Sequence, residues 1–179
     1  MKMKIMILFC SVLVCLSCLN AQKNMPNKTN QYNERGQKEG LWVDSSKYRI
    51  TETYYHNDLL SGIYKEYYAP NGQLLVLGEY YDGKRCGIWR IYTDDGHLWF
   101  LFKDISENTF IVTNEGDGKR YTPDYKCYLV SYYPNGKKQD EGLVLWDEGE
   151  SPISDLSVEY GEWKYYNEDG TLKETKVFK

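Results

Sequence analysis

The chain has few of the residues from which metal sites and nucleophilic active sites are built. Its 179 residues include two histidines, His56 and His97, and five cysteines, of which Cys10, Cys15 and Cys18 lie near the N-terminus. Zinc sites need Cys and His at short spacings, and Ser or Cys hydrolases need a base close to the nucleophile. Neither pattern occurs, and no glycine-rich phosphate-binding loop is present. We therefore expect a protein that is not an enzyme, with no catalytic residue, no metal and no cofactor.

Positive charge is also scarce. The chain has 22 Lys and Arg against 26 Asp and Glu, a net charge of −4. Removing the first 21 residues, which hold two lysines and no acid, changes the balance to 20 − 26 = −6. Nucleic-acid binding needs a basic footprint, and docking on anionic lipid needs basic residues as well. The sequence therefore predicts neither kind of partner.

Long apolar runs are missing except at the N-terminus, where residues 5–16 follow Lys2 and Lys4. The run has the length of a secretory signal and is too short to span a bilayer as a permanent helix. Residues 1–21 are therefore predicted to be a signal peptide that forms a helix, and the protein is predicted to be exported.

Two cleavage sites compete in this segment. Leu16-Ser17-Cys18 resembles a lipobox, in which Cys18 becomes the lipidated first residue of the mature protein. This alternative predicts a lipoprotein of the cell envelope, held at the membrane only by its N-terminal lipid. Cleavage after Ala21 is the other alternative and predicts a soluble periplasmic or secreted protein. In both cases the polar residues 22–33 are predicted to be a flexible tether.

Only two cysteines, Cys86 and Cys127, follow the signal peptide. An exported compartment permits a disulfide between them. Both stand at or beside the same position of an internal repeat, so they would approach each other if the repeats stack closely. A disulfide and a pair of buried thiols are the two alternatives.

Aromatic residues and glycines are abundant after the signal peptide and recur together. The chain contains 18 Tyr, 5 Trp and 15 Gly, all of them beyond residue 21. They form a repeat that starts with Gly, continues through an aromatic-rich segment and ends in Asn-Gly or Asp-Gly. Four copies, the third without its leading Gly, span residues 62–72, 87–96, 127–136 and 161–170, and an opening copy begins at residue 40.

Each part of the repeat has a physical reason. The leading Gly permits a positive φ at the entry to a strand. The aromatic and β-branched residues that follow favour a strand, and Asn-Gly or Asp-Gly tolerates the left-handed conformation of a tight hairpin turn. The sequence therefore predicts an all-β fold of consecutive antiparallel β-hairpins. No segment after residue 22 has a 3.6-residue periodicity, so little or no helix is expected.

The aromatic residues of one repeat stand two and five positions after the leading Gly, as Trp89 and Tyr92 do after Gly87. This odd separation places them on opposite faces of a regular strand. Either a bulge in this strand re-aims one side chain, which we favour, or both faces of the sheet are partly covered.

Two segments interrupt the repeats within the predicted domain, residues 34–179. Residues 103–126 are predicted to be an irregular insertion with one short strand at 109–113. Residues 147–156 are acidic and contain Gly149 and Pro152, which indicates a loop.

Two segments, Tyr81-Asp-Gly-Lys-Arg-Cys-Gly-Ile-Trp89 and Tyr160-Gly-Glu-Trp163, resemble MORN-repeat variants. The pattern of these variants is Tyr, then Asn/Asp-Gly-Lys, then Gly-x-Trp, with Tyr-Tyr-x-x-Gly after it. More narrowly, the chain is similar to the bacterial group labelled YwqK-family antitoxins. The resemblance covers residues 31–102 and 127–179. It implies a meander of β-hairpins in an elongated, twisted sheet that binds proteins, and the label implies neutralisation of a toxin by binding.

The function predicted from these observations is a non-catalytic protein-binding repeat module of the cell envelope, of antitoxin or immunity type. Trp99, Phe100 and Trp146 are the candidate interaction surface. Trp99 and Phe100 are adjacent, so in a strand they are expected on opposite faces, with one of them facing solvent; Trp146 lies beside the acidic loop. A glycan- or peptidoglycan-binding envelope lipoprotein is the alternative, because aromatic faces also stack on sugars. An envelope spacer without a ligand is the third hypothesis.

Overall fold

The computed structural model describes residues 28–113, 116, 118–149, 151–154 and 156–179. The predicted signal peptide, Cys18 and residues 22–27 of the predicted tether lie outside this part. The described residues form β-strands and no helix, so they include no helix that could cross a membrane. The strands are β1 (Gln31–Tyr32), β2 (Lys38–Ser45), β3 (Arg49–His56), β4 (Leu59–Leu60), β5 (Gly62–Tyr68), β6 (Gln73–Tyr81), β7 (Lys84–Tyr92), β8 (Leu98–Glu107), β9 (Val112–Thr113), β10 (Arg120–Tyr121), β11 (Tyr125–Tyr132), β12 (Lys138–Trp146), β13 (Val158–Tyr166) and β14 (Leu172–Phe178).

Twelve of these strands form one open antiparallel sheet. Its order is β1-β2-β3-β5-β6-β7-β8-β11-β12-β13-β14, and the short β4 pairs with β3 at the side of this path. Neighbours in the sheet are therefore neighbours in sequence, apart from β4 and the excursion between β8 and β11. The predicted all-β meander of consecutive hairpins is confirmed.

The repeated glycines adopt the conformations for which the sequence selects them. The leading glycines, such as Gly87 at φ 64°, and the turn glycines, such as Gly136 at φ 78°, all lie in the left-handed region. In the turn before β12 the Gly136 amide donates to the carbonyl of Tyr133 at 2.9 Å. Neighbouring turns are also linked, since Asn135 Nδ2 donates to the carbonyl of Glu168 at 2.8 Å. The Asn-Gly and Asp-Gly pairs therefore end the strands where the sequence predicted.

The two aromatic residues of a repeat lie on opposite faces of the sheet. In β5, Tyr64 Oη donates to Glu66 at 2.8 Å, whereas Tyr67 Oη donates to Glu52 on β3 at 3.4 Å. The pairing of β5 with β3 has an unbroken register from Lys65 to Tyr68. In β5 the favoured prediction of a bulge is therefore wrong, and the alternative, two partly covered faces, is correct. In β7 and β13 the register does shift at the leading Gly, where residues 87–89 lie opposite Gly78 and residues 161–163 lie opposite Gly142, so these two strands contain the predicted irregularity.

The main core lies on the face that carries Trp89 and Trp163, which we call the core face. These two side chains are 3 % and 2 % exposed. Each covers a glycine on the preceding strand, Gly78 under Trp89 and Gly142 under Trp163, where a Cβ would overlap the indole ring. The buried residues packed together here are Trp89, Phe102, Cys127, Leu129, Val144, Trp146 and Trp163.

The segment between β8 and β11 covers part of the opposite face. Phe110 stacks on Tyr160 of β13 with 4.7 Å between ring centroids, and Lys126 Nζ lies 4.6 Å from the Phe110 ring. Strand β8 continues to Glu107, so the irregular segment is 108–124 and is shorter than the predicted insertion. The strand predicted at 109–113 is limited to β9, which pairs with β10. At the N-terminal edge, β1 lies within the segment predicted to be a tether.

Candidate interaction surface

The four hairpins that close in Asn-Gly or Asp-Gly contain a β-bulge at the same place in their returning strands, whereas the opening hairpin β2–β3 has an unbroken register. In the pair β5–β6, Glu66 faces Val76 but Tyr67 faces Leu74, so Leu75 is an extra residue. The same register shift occurs in β7–β8, β11–β12 and β13–β14. The extra residue always stands three positions after the turn glycine. We call this set the bulge row: Leu75, Trp99, Gln139 and Lys173.

The bulge places Trp99 and Phe100 on the same face of the sheet. Their ring centroids are 4.7 Å apart, and Phe100 in turn stacks on the buried Phe102 at 6.4 Å. Adjacent residues on opposite faces were expected from a regular strand, and this expectation is wrong because the bulge breaks the alternation. Trp99 is 47 % exposed, whereas Phe100 is partly buried against the core.

Trp99 stands between two depressions in the surface. On one side is a groove of about 470 Å³ that includes Leu75, and on the other a pocket of about 170 Å³ that includes Gln139. Three members of the bulge row therefore line one continuous surface with Trp99 at its centre. The groove is lined by Arg49, Glu66, Tyr68, Leu75, Val76, Ile91, Tyr92, Thr93, Asp94 and Trp99.

Charged and polar side chains border this surface. In the groove, the Arg49 guanidinium lies 2.9 Å from the Glu66 carboxylate, with the Arg49 side chain about half exposed. At the pocket, His97 Nε2 lies 3.3 Å from Asp95 Oδ2. The hydroxyl of Thr93 donates to Asp95 and lowers the pKa of that carboxyl. An apolar centre with a polar rim is the arrangement found in protein interfaces.

Trp146, the third residue of the predicted surface, is in the core. It is 4 % exposed and packs beside Tyr125 with 5.8 Å between ring centroids. Its position on the core face of β12, between its neighbours β11 and β13, removes it from solvent. Trp146 therefore belongs to the core, and its small exposed part reaches only a pocket at the far end of the strands from Trp99.

The structure does not contain the disulfide that the sequence made one of two alternatives. Cys86 lies on β7 and Cys127 on β11, and β8 separates these strands. Strands two places apart are about 10 Å from each other, whereas the Cα atoms of a disulfide are within about 7 Å. Cys127 is fully buried, and this burial raises its pKa to about 12.

The two histidines lie at opposite ends of the strands. His56, at the end of β3, shares a contact of 3.0 Å with Glu39, and His97 follows the turn at the other end. Burial raises the pKa of Glu39, but hydrogen bonds from His56 and from the Asn57 amide bring it below its usual value. Among the described residues, no group of three or more His, Cys, Asp or Glu could hold a metal ion.

Sequence reasoning missed the bulge row and the two strand glycines, Gly78 and Gly142. The bulge row could have been found by counting from the turn glycine, because the extra residue stands at the same offset in four hairpins. No protein-family model and no curated protein matches this chain. The resemblance to MORN-repeat variants therefore depends on the quoted motifs alone.

Proposed function

We propose that this protein is a non-catalytic protein-binding module of the cell envelope and that Trp99 is the centre of its binding surface. The observation that carries the proposal is an aromatic residue, 47 % exposed, between two depressions in an ordered sheet. Trp is among the residues that contribute most to protein interfaces, because a large rigid ring gains contact area at a low cost in conformational entropy.

The surroundings of Trp99 support a protein ligand. The residues on either side of Trp99, Leu98 and Phe100, pair with β7, and the Phe100 ring packs on the Trp99 ring, so little ordering is needed on binding. The Arg49–Glu66 ion pair and the Asp95 carboxylate supply polar groups at the rim. A partner with one apolar side chain flanked by polar groups would complement this surface.

The proposed location is the cell envelope, with the lipidated Cys18 as the membrane anchor. The basis is the sequence of residues 1–21, which lie outside the described residues. The similarity of the repeat to YwqK-family antitoxins supports an antitoxin or immunity role, in which binding alone blocks the partner. The net charge of −4 supports a partner other than nucleic acid.

Glycan or peptidoglycan binding is the second candidate, because exposed aromatic rings stack on sugars. The groove beside Trp99 also contains hydrogen-bonding groups, Thr93 and Asp94, of the kind that bind hydroxyls. The two candidates share the same surface and differ in the ligand that it retains.

Affinity capture with the full chain tests both candidates. Wild type, Trp99→Ala and Tyr81→Ala are compared for capture of envelope proteins and of purified peptidoglycan. Tyr81 is a matched control, because it is 50 % exposed and lines neither depression. We expect saturable capture of a protein that Trp99→Ala weakens at least tenfold and Tyr81→Ala leaves unchanged, with all melting temperatures within about 2 °C.

Three results would oppose the proposal. Capture of peptidoglycan without protein would favour the second candidate. No saturable partner of either kind would favour an envelope spacer. A joint fall of binding and melting temperature in Trp99→Ala would assign Trp99 to the core.

A further inference from the structure

A second pocket lies at the other end of the strands, far from Trp99. It opens beside the β6–β7 turn and has a volume of about 320 Å³. Three aromatic residues, Tyr80, Tyr125 and Trp146, form one part of its wall with Ile105 beside them. Its charged lining residues are Lys84, Arg85 and Glu148. This size is at the low end of the range for small-ligand sites, which are mostly apolar with a few convergent polar groups.

Arg85 brings a positive charge into this aromatic pocket. Its backbone pairs with Tyr80 in the sheet, and its guanidinium carbon lies 5.1 Å from the centre of the Trp89 ring. Burial raises the pKa of Cys127 and of Tyr64, and the Arg85 charge opposes both effects. The guanidinium therefore lies near the core face and does not extend freely into solvent.

No carboxylate of the described residues forms an ion pair with Arg85. The neighbouring cation, Lys84, is different, because it lies 3.3 Å from Glu107. The acid that lines the pocket is Glu148, and it is exposed. A half-buried cation with no ion-pair partner among the described residues favours an anion that brings its own charge.

We propose that the pocket around Arg85 binds a carboxylate carried on an aromatic or apolar body. The planar guanidinium matches a carboxylate through two parallel hydrogen bonds, and the aromatic wall matches a ring or alkyl group. One guanidinium balances one carboxylate, whereas a phosphate dianion would leave excess negative charge near Glu148. The chain as a whole is acidic, so this affinity comes from the pocket and not from general attraction.

Two sources supply this chemistry, a free small acid and the C-terminal carboxylate of a peptide that ends in an aromatic residue. Both are titrated into the full chain by calorimetry. The small probes are 3-phenylpropionate and its neutral amide, and the peptide probes end in Phe with a free or an amidated C-terminus. We expect saturable binding of at least one carboxylate and at least tenfold weaker binding of the matching amide.

Variants of two arginines on the same strand locate the site. Arg85→Gln is expected to weaken carboxylate binding at least tenfold, and Arg85→Lys is expected to fall between it and wild type. Arg90→Gln is the matched control, because Arg90 faces Leu77 on the side of the sheet away from the pocket. It is expected to bind like wild type. Arg85→Lys keeps the charge, so it tests the site even if Arg85→Gln unfolds.

Tighter binding of the peptide than of the free acid would assign the pocket to a protein terminus, and the reverse would assign it to a small molecule. Each of three results would overturn the proposal. These are equal binding of acid and amide, equal losses of carboxylate affinity in the Arg85 and Arg90 variants, and no saturable binding of any carboxylate. The site is independent of Trp99, so its failure would leave the proposed function unaffected.

Discussion

The indole ring of Trp163 lies directly against Gly142, so that any side chain at position 142 would overlap the ring. Trp89 has the same relationship with Gly78. In each case a strand that opens a hairpin, β13 or β7, covers a glycine of the strand before it. Neither glycine has a positive φ, so the reason for glycine is space and not backbone conformation.

Gly142→Ala is therefore expected to destabilise the protein. The added methyl must displace the Trp163 ring from the core, which costs about 1–3 kcal/mol for an overpacked site. Urea unfolding of the full chain measures this loss. Gly136→Asn is the control, because Gly136 has a positive φ and open space around it, and Asn tolerates that conformation. Equal stability of Gly142→Ala and wild type would show that Trp163 does not need the glycine.

Deletion of Gln139 tests the structural role of the bulge row. Gln139 is exposed, so Gln139→Ala is expected to change the free energy of unfolding by less than about 0.5 kcal/mol. Deleting the residue removes the bulge but leaves Lys138 opposite Tyr132, so what is lost is the local bend and twist that the bulge gives this strand. We expect this to cost about 1–3 kcal/mol by thermal unfolding. If the deletion and the substitution were equally mild, the bulge would be dispensable.

Tyr166 and Lys138 hold the buried carboxylate of Glu141 by hydrogen bonds of 2.6 Å and 2.8 Å. Burial raises the pKa of Glu141, but these two bonds, the charge of Lys138 and a hydrogen bond from Tyr128 together outweigh it and bring the pKa below its usual value of 4.5. As the pH falls, the unfolded state therefore takes up a proton before the native state does. The stability that this carboxylate contributes is present above about pH 4.5 and is lost as the pH falls through the lower native pKa.

Tyr166→Phe is expected to raise the native pKa of Glu141 and to lower stability at pH 7 by about 1–3 kcal/mol. The free energy of unfolding of this variant therefore falls less than that of wild type as the pH is lowered. Carboxyl NMR titration measures the pKa of Glu141. Unfolding at several values between about pH 3 and pH 7, a range that includes the ordinary Glu pKa, measures the change in stability. Tyr165→Phe is the control, since Tyr165 bonds to Glu159 instead. An unchanged Glu141 pKa in Tyr166→Phe would rule out this role of the hydroxyl.

Cys127 is expected to resist alkylation in the native protein. It has no exposed surface, and burial raises its pKa to about 12, so the reactive thiolate is rare at neutral pH. Mass spectrometry of iodoacetamide-treated protein, native and in denaturant, measures the modification of each cysteine. We expect Cys127 to react only in denaturant and to form no disulfide with Cys86 under mild oxidation. Fast native labelling of Cys127 would contradict the buried position.

The hairpins could be predicted because each one is specified locally. The turn pairs, such as Asn135-Gly136, and the aromatic segments before them determine where the chain reverses, so sequence neighbours become sheet neighbours. The excursion between β8 and β11 follows no such pattern. Its place in the chain was therefore predicted, but its short β9–β10 hairpin and the stacking of Phe110 on Tyr160 were not.

The candidate surface was predicted only in part, because exposure depends on the faces of neighbouring strands. Trp99 and Trp146 are both aromatic residues next to polar segments, yet the bulge leaves the first exposed and the sheet interior buries the second. The rule that successive side chains of a strand point to opposite faces also failed for Trp99 and Phe100, which share one face. Partners across the sheet, such as Leu75 and Gln139, become visible only once the register is known.

Photo-crosslinking from two surface positions tests the proposed function most directly. A photoreactive amino acid is placed in the full chain at Gln139, beside Trp99, and at Leu59, which is 47 % exposed at the other end of the strands. We predict one crosslinked protein from position 139. An excess of protein without the photoreactive group should compete with it, and it should be absent when the crosslinking chain also carries Trp99→Ala. No such product is expected from position 59. Equal crosslinking from both positions, or none from position 139, would contradict a binding surface centred on Trp99.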